Sequence, residues 1–498
     1  MFSFLSLKKN IDSIVAAILG FTIIFLFTRH SGIGIEPDGV AYITTVENFH
    51  TTGKLADFTH KAMVEFPLFY PLFLNSVQWL TGLKPLLFAA ILNAFLFAVI
   101  IYLTGCMMEY FSLKSKWYKC AILSCIVLSP ALLEVYSMLW SETIFILCLL
   151  LFMIAMRSYF QSYSRKALAA AAVIASVASV TRYAGVTIIG TGGILLLLDL
   201  KIPLRQKTTN LILYAVISPL LLIINLIRNY LSGSSFTGLR ERSVTSLGAN
   251  CHDAGSVFYD WLPFTHGHYS GAGVLVVLFI AIPSIVLIKQ FLKDHRLSSY
   301  ENIAALFSAV YLLFIIMIAS ISRFEQLNSR FLSPLFIPLL WCCSKAIIYF
   351  SNKTKKKWMI IFGIVIFTCF QYGQLAADYE TWDGVKDAGI PGYSEDQWTL
   401  SETVLFIQKD SIPFKKDYTI YSNANDAVYF FTRREGKFLP HKELPDRIHE
   451  FVNDPHCYVV WFDDGDNPDL VGKDFIVNVK KMKLLKQFSD GAIYVTGE

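Results

Sequence analysis

Two carboxylates stand close together in Ile35-Glu36-Pro37-Asp38-Gly39-Val40-Ala41-Tyr42, just after the first long apolar run. Pro37 suits the first position of a helix, where its missing N–H is an orphan in any case. Asp38 then falls in the first turn, where the positive end of the helix dipole favours the ionised form. Tyr42 comes one turn further along the same face. An ionised carboxylate held beside a membrane is equipped to act as a general base or a cation ligand. The plainer account of the same residues is a helix start with solvated acids.

Four arginines share a second pattern. They occur in Thr181-Arg182-Tyr183, Ile227-Arg228-Asn229, Ser322-Arg323-Phe324 and Ser329-Arg330-Phe331, each at or near the end of an apolar segment. Ionisable groups at membrane depth are costly and are usually paired or functional. Guanidinium grips phosphate through two parallel hydrogen bonds. Four such residues beside an acidic loop point to an anionic ligand, whereas snorkelling to headgroups would account for any one of them. Glu142, in Leu139-Trp140-Ser141-Glu142-Thr143, opens another apolar segment and is placed to pair with one of these arginines or to bind a substrate hydroxyl. A loop over 231–271 adds Arg240, Glu241, Arg242, His252, Asp253, His266 and His268. Its His266-Gly267-His268 is too short a pattern to define a metal site.

These residues need a scaffold, and composition names it. Of 498 residues, 54% are hydrophobic and only 16% charged, well below the roughly 25% charged residues of soluble proteins. The chain reads as a polytopic α-helical membrane protein. Candidate spans fall near 11–28, 86–106, 118–133, 138–157, 167–181, 184–200, 209–230, 272–291, 301–320, 331–350 and 357–375, about eleven in all, several shorter than an upright span of about 20 residues. Lys8 and Lys9, Lys114, Lys116 and Lys119, Arg157 and Arg165, Lys201, Arg205 and Lys207, Lys289 and Lys293, and Lys353 to Lys357 all fall on one set of connections. The positive-inside rule makes that set cytoplasmic, with the N-terminus. It places 29–85, 231–271 and 376–498 outside the cytoplasm. The first run, 11–28, lacks a cleavage pattern and reads as a retained helix.

Within 29–85, Phe66-Pro67-Leu68-Phe69-Tyr70-Pro71-Leu72-Phe73-Leu74 suits helices lying in the interface plane. Residues 1–375 thus form a transmembrane domain, and 376–498 a soluble α/β domain. Strands are expected at Tyr418–Ser422, Cys457–Phe462 and Gly491–Thr496, and helices at Asp396–Gln408 and Lys442–Phe451. Asp463, Asp464 and Asp466 lack the full ligand spacing of a calcium loop and read as a solvated turn. The nine cysteines show no zinc spacing. Cys251 and Cys457 are the two outside apolar runs. The net charge of +5 is small, and no basic patch calls for nucleic acid.

A site with a carboxylate, arginines and a large apolar body suits an amphiphilic phosphate substrate such as a polyprenyl-phosphate sugar. Its tail stays in lipid, its phosphate needs cations, and its sugar lies outside. Transfer needs an acceptor hydroxyl stripped of its proton, which Asp38 can take. The leaving phosphate is a weak base and needs charge stabilisation more than a general acid. Direct attack inverts the anomeric centre, whereas double displacement would require a second carboxylate as nucleophile.

The ordered motifs resemble GT-C-class polytopic glycosyltransferases, closest in character to the bacterial group of protein O-mannosyltransferases and lipid A aminoarabinose transferases. Asp38 and Tyr42 match that group's first-loop acid with a Tyr four positions on. Gly53 and Phe66–Leu74 match a glycine followed by a Pro-rich aromatic segment. Ser141-Glu142, Thr181-Arg182-Tyr183, and Arg330-Phe331-Leu332-Ser333-Pro334 with Pro338 match later motifs. The resemblance implies an inverting transferase using lipid-phosphate donors, with Asp38 as base. Gly39 departs from the pattern where many protein O-mannosyltransferases carry a second acid, which weighs against a protein acceptor.

The sequence thus leads to a membrane glycosyltransferase that moves a sugar from a polyprenyl-phosphate donor to an extracytoplasmic glycan, lipid or protein. Asp38 and Glu36 are the expected catalytic pair, with Glu36 positioning the acceptor or a divalent cation. Arg182 and Arg330 are expected to hold the donor phosphate, with Tyr42, Glu142, Arg240 and Arg242 as further binding residues. The alternative is a transporter or flippase for an anionic lipid or solute. Transporters usually show internal repeats and a midplane site, and no repeat is visible here.

Overall fold

Long apolar helices dominate the computed structural model, which describes residues 10–497 except 112, 239, 263–270, 295–296, 324, 355–356, 410–413, 416, 466 and 468. Lys8, Lys9, His266, His268, Phe324, Lys355, Lys356 and Asp466 therefore lie outside the described residues. Contacts divide the chain into two compact units: Met1–Arg29 with Met63–Lys386, and His30–Ala62 with Asp387–Glu498.

The first unit is helical. The apolar segments read from the sequence are helical, with 118–133, 209–230 and 331–350 each broken into shorter helices, and among the described residues five helices are long and apolar enough to cross a membrane. A sixth span counts if one bent pair is taken together. The chain is an integral membrane protein. The expected single span at 118–133 is corrected: Lys116–Val127 and Pro130–Ser137 are separate helices, bent by 50°. Ser129 caps the second by accepting from the Leu132 amide, and Pro130 takes the first position, where a proline starts a helix but cannot continue one. Lys119, read as a connection charge, is instead buried, with Nζ 2.8 Å from Asp12 Oδ1 and 2.5 Å from Glu109 Oε1. The last long helix, Lys357–Ala388, continues beyond residue 375.

The second unit is α/β. Its five strands, β1 (Thr419–Ser422), β2 (Lys437–Phe438), β3 (Cys457–Phe462), β4 (Lys483–Gln487) and β5 (Gly491–Val495), form one sheet in the order β2-β1-β3-β5-β4. The β2-β1-β3 half is parallel and the β3-β5-β4 half antiparallel. Strand β3 lies at the centre, and every residue of Cys457–Phe462 is buried, as a strand covered on both faces must be. The expected helix at Asp396–Gln408 is split into Asp396–Thr399 and Glu402–Gln408, because Ser401 caps the second piece through the Val404 amide. Helix Asn425–Thr432 and strands β2 and β4 were not apparent from the sequence pattern. All nine cysteines are free.

Candidate functional site

Arg182, Arg330 and Glu142 come from three separate helix ends and meet in the helical unit. Helix Arg165–Thr181 stops at Arg182, whose backbone is extended (φ −146°, ψ 140°). The chain then turns back so tightly that a Cβ on Gly185 would sit 2.4 Å from the Ala178 and Ser179 backbone, so only glycine fits there. Arg330 lies in the short helix Ser329–Leu332, whose start Asn328 caps through the Phe331 amide. Tyr311 Oη donates to the Phe331 carbonyl at 2.8 Å and fixes that corner. Glu142 opens helix Glu142–Ser162. The extended residues before it are tied down by Asn93, whose side-chain amide donates to the Met138 carbonyl at 2.8 Å.

Glu142 Oε1 is 2.5 Å from Arg182 Nη1 and 2.6 Å from Arg330 Nε. The Glu142 side chain is 1% exposed, Arg330 6% and Arg182 16%. Arg182 also donates to Ser141 Oγ at 3.1 Å, and the Arg330 guanidinium lies 4.3 Å from the Trp140 ring centroid. The second carboxylate oxygen, Oε2, is buried without a hydrogen-bond partner among the described residues. Two guanidinium groups thus converge on one carboxylate oxygen in a water-poor setting.

The other two arginines at segment ends are held elsewhere. Arg228 Nη1 donates to the Met63 carbonyl. Its neighbour Asn229 donates to the carbonyls of Val64 and Phe236 and to Tyr183 Oη, while Tyr183 donates to Val64. Arg240 Nη2 donates to the Glu65 carbonyl at 3.1 Å. Together these side chains clamp the backbone of Met63–Glu65. Arg323 pairs with Glu241 at 2.9 Å, and Arg242 is exposed, its backbone bridging to Ser322. Among the described contacts, neither Arg240 nor Arg242 joins the Glu142 cluster. Asn229, Trp140 and Ser141 carry roles that the sequence reading did not assign them.

Glu36, Asp38 and Tyr42 belong to the α/β unit. Helix Pro37–Thr52 begins as expected, with Glu36 extended at the N-cap, Pro37 at the first position and Asp38 in the first turn. Tyr42 is 2% exposed, while Glu36 and Asp38 are half-buried. Tyr393 donates its amide to the Ile35 carbonyl at 2.7 Å and its hydroxyl to Asp426 Oδ2 at 2.6 Å. Ser394 Oγ donates to the Ile33 carbonyl at 2.9 Å. Gly392 sits at φ +108°, and a Cβ there would strike the Ile35 carbonyl oxygen at 2.3 Å. Asp463, read as part of a turn, accepts from Trp461 Nε1 at 3.1 Å and from Lys473 Nζ. Among the described residues no three His, Cys, Asp or Glu side chains are arranged to hold a metal ion.

Fold and topology define a class: the chain has the fold of GT-C membrane glycosyltransferases. It superposes on ArnT from Cupriavidus metallidurans bound to undecaprenyl phosphate with a TM-score of 0.54 and 12% identity, over 97% of this chain and 98% of that one. The apo state of the same protein gives 0.52. The Archaeoglobus fulgidus oligosaccharyltransferase, in complex with zinc and sulfate, gives 0.57 at 10% identity, over 91% of this chain and 68% of that one. The sequence matches no protein-family model and no curated protein.

Proposed function

We propose that this protein is a glycosyltransferase that moves a sugar from a polyprenyl-phosphate donor to an extracytoplasmic acceptor with inversion. The observation that carries the reading is the buried cluster in which Arg182 and Arg330 share one carboxylate oxygen of Glu142. Two guanidinium groups brought to one place suit the donor phosphate and, later, the phosphate that leaves. ArnT, which shares the fold, was solved with undecaprenyl phosphate bound, and this chemistry fits the same class of donor.

In this reading Asp38 takes the proton of the acceptor hydroxyl. The acceptor oxygen forms its bond to the anomeric carbon from the face opposite the phosphate. The bond from that carbon to the phosphate oxygen breaks, and the polyprenyl phosphate departs with its electron pair. Glu36 orients the acceptor or a divalent cation. Tyr42, being buried, supports the helix on which Asp38 stands. Arg240 and Arg242 belong to the outer loop rather than to the phosphate grip. The N-terminus is cytoplasmic and the α/β unit extracytoplasmic, as the basic connections imply.

The test is transfer by the purified protein in detergent, from a panel of radiolabelled polyprenyl-phosphate sugars to crude envelope acceptor, with Asp38→Asn beside wild type. Label moving with wild type alone supports both the enzyme and its base. Transfer by both proteins removes Asp38 from the mechanism. No transfer by either, together with flipping of an anionic lipid in liposomes, would overturn the reading in favour of a transporter.

A further inference from the structure

Tyr393 touches two parts of the α/β unit at once. Its amide holds the Ile35 carbonyl at 2.7 Å, just ahead of Asp38, and its hydroxyl holds Asp426 Oδ2 at 2.6 Å. Asp426 is 2% exposed and opens helix Asn425–Thr432, which packs against helix Pro37–Thr52. The same two helices are stapled further along by Phe58 against Tyr429, with ring centroids 5.8 Å apart, and by Glu47 with Arg433 at 3.0 Å. Burial pushes the Asp426 carboxyl up, and the charge of Asp38 adds to the rise, while the Tyr393 hydroxyl and local amides oppose it.

An acid in the first turn of a helix is stable in water. Asp426 is instead buried, held by a tyrosine, and close enough to sense a second first-turn acid on the adjoining helix. Hydrogen bonds run from the Ile35 carbonyl, three residues before Asp38, through Tyr393 to Asp426. Asp426 fixes the Tyr393 ring through its hydroxyl, and helix Asn425–Thr432 packs on the helix that carries Asp38. Tyr393 limits the backbone that carries it.

We propose that Asp426, held by Tyr393, is a positioning residue for Asp38, so that the α/β unit sets the orientation of the carboxylate that deprotonates the acceptor. The inference rests on the reading of Asp38 as the base. It gives the α/β unit a part in the transfer step itself.

The experiment uses the full-length protein as wild type, Asp426→Asn and Tyr393→Phe. The Asp426→Asn change keeps an acceptor for the tyrosine hydroxyl and removes the charge. The Tyr393→Phe change keeps the ring and the amide and removes the hydroxyl. The first readout needs no substrate: carbodiimide-driven amidation of Asp38 with glycine ethyl ester, followed by peptide mass spectrometry. Both variants are expected to change the labelling rate of Asp38 by about threefold or more, with Glu47 and Asp57 labelling as internal references unchanged. The second readout is transfer kinetics. Both variants are expected to lower kcat, by at most about 10²-fold, with donor KM unchanged. Unchanged Asp38 labelling in both variants overturns the proposal, as does a rise in donor KM with wild-type kcat. Absence of transfer by wild type defeats the proposed function instead, and the labelling rates then decide the positioning claim alone.

Discussion

Arg330 Nε lies 2.6 Å from Glu142 Oε1, although 188 residues separate them in the chain. The contact is buried on both sides, and Arg182 reaches the same oxygen. A lone buried ion pair is weak evidence for stability, since its desolvation can match its attraction. Two guanidinium groups on one carboxylate are a different case. They bring two planar hydrogen-bond forks to one point, the arrangement on which the proposed phosphate grip rests. The partition of the four arginines at segment ends supports this division of labour. Two gather at Glu142, while Arg228 holds the Met63 carbonyl and Arg323 pairs with Glu241.

Glu142→Gln removes the negative charge that both arginines share. Leaving buried charge uncompensated costs about 3–5 kcal/mol, so the melting temperature of the purified variant should drop clearly below wild type. Polyprenyl phosphate supplies a substitute anion. It should raise the melting temperature of Glu142→Gln by more than it raises that of wild type. Equal shifts in the two proteins would separate this cluster from phosphate binding.

Arg330→Lys keeps the charge but loses the planar fork and the stacking on Trp140. Loss of one bidentate, charge-assisted grip is worth about 1.5–3 kcal/mol, which corresponds to a donor KM raised by about 10- to 100-fold with kcat little changed. Arg242→Lys, at an exposed position, should leave both constants near wild type. Steady-state kinetics over donor concentration measures the contrast.

The helices were legible because a membrane span needs a long apolar run whatever it packs against. The break at Ser129-Pro130 carried its own signal, a capping serine before a first-position proline. Pairing of Glu142 with an arginine was foreseeable from Ser141-Glu142 at a helix start, but its two partners were not. All four arginines have the same local signature, a cation at the end of an apolar segment, and only tertiary contacts distinguish them. The grouping of His30–Ala62 with Asp387–Glu498 was likewise invisible, since it depends on Tyr393 and Ser394 binding carbonyls of Ile33–Ile35. Asp426 gave no signal because its helix was not recognised.

The clamp on Met63–Glu65 predicts a local effect. The Asn229 side-chain amide donates to Val64, Phe236 and Tyr183, and its Oδ1 accepts from Arg228. Asn229→Ala leaves the Phe236 carbonyl without this donor and the Val64 carbonyl with Tyr183 alone, and should cost about 0.5–1.5 kcal/mol, with faster amide exchange over residues 63–66. Arg240→Ala removes a single bond from an exposed side chain and should change exchange there far less. Exchange mass spectrometry on the two variants distinguishes a clamp from a set of incidental contacts.

Two acids of the α/β unit predict opposite pH behaviour. Burial raises Asp426 above the ordinary carboxylate range, with Asp38 adding to it. Burial also tends to raise Asp490, but hydrogen bonds from Ser401 and Thr403 outweigh it, and its carboxyl is held below that range. For Asp426 the folded state binds the proton more tightly than the unfolded state. Its ionisation therefore subtracts stability, beginning near the unfolded value of about 3.9 and complete once pH exceeds the folded value. Asp426→Asn should thus melt higher than wild type at pH 7, and the gap should close as pH falls through that window. For Asp490 the sign reverses. Its stability is present above the unfolded value and is lost as pH falls through the lower folded value. Asp490→Asn should melt below wild type at pH 7 and converge with it in acid. Thermal unfolding of the three proteins from about pH 2 to pH 8, a range that spans the carboxylate values on both sides of about 3.9, measures both. A Tm for Asp426→Asn below wild type at pH 7 would mean that its charge stabilises the fold, and the case for a buried, strained positioning acid beside Asp38 would weaken accordingly.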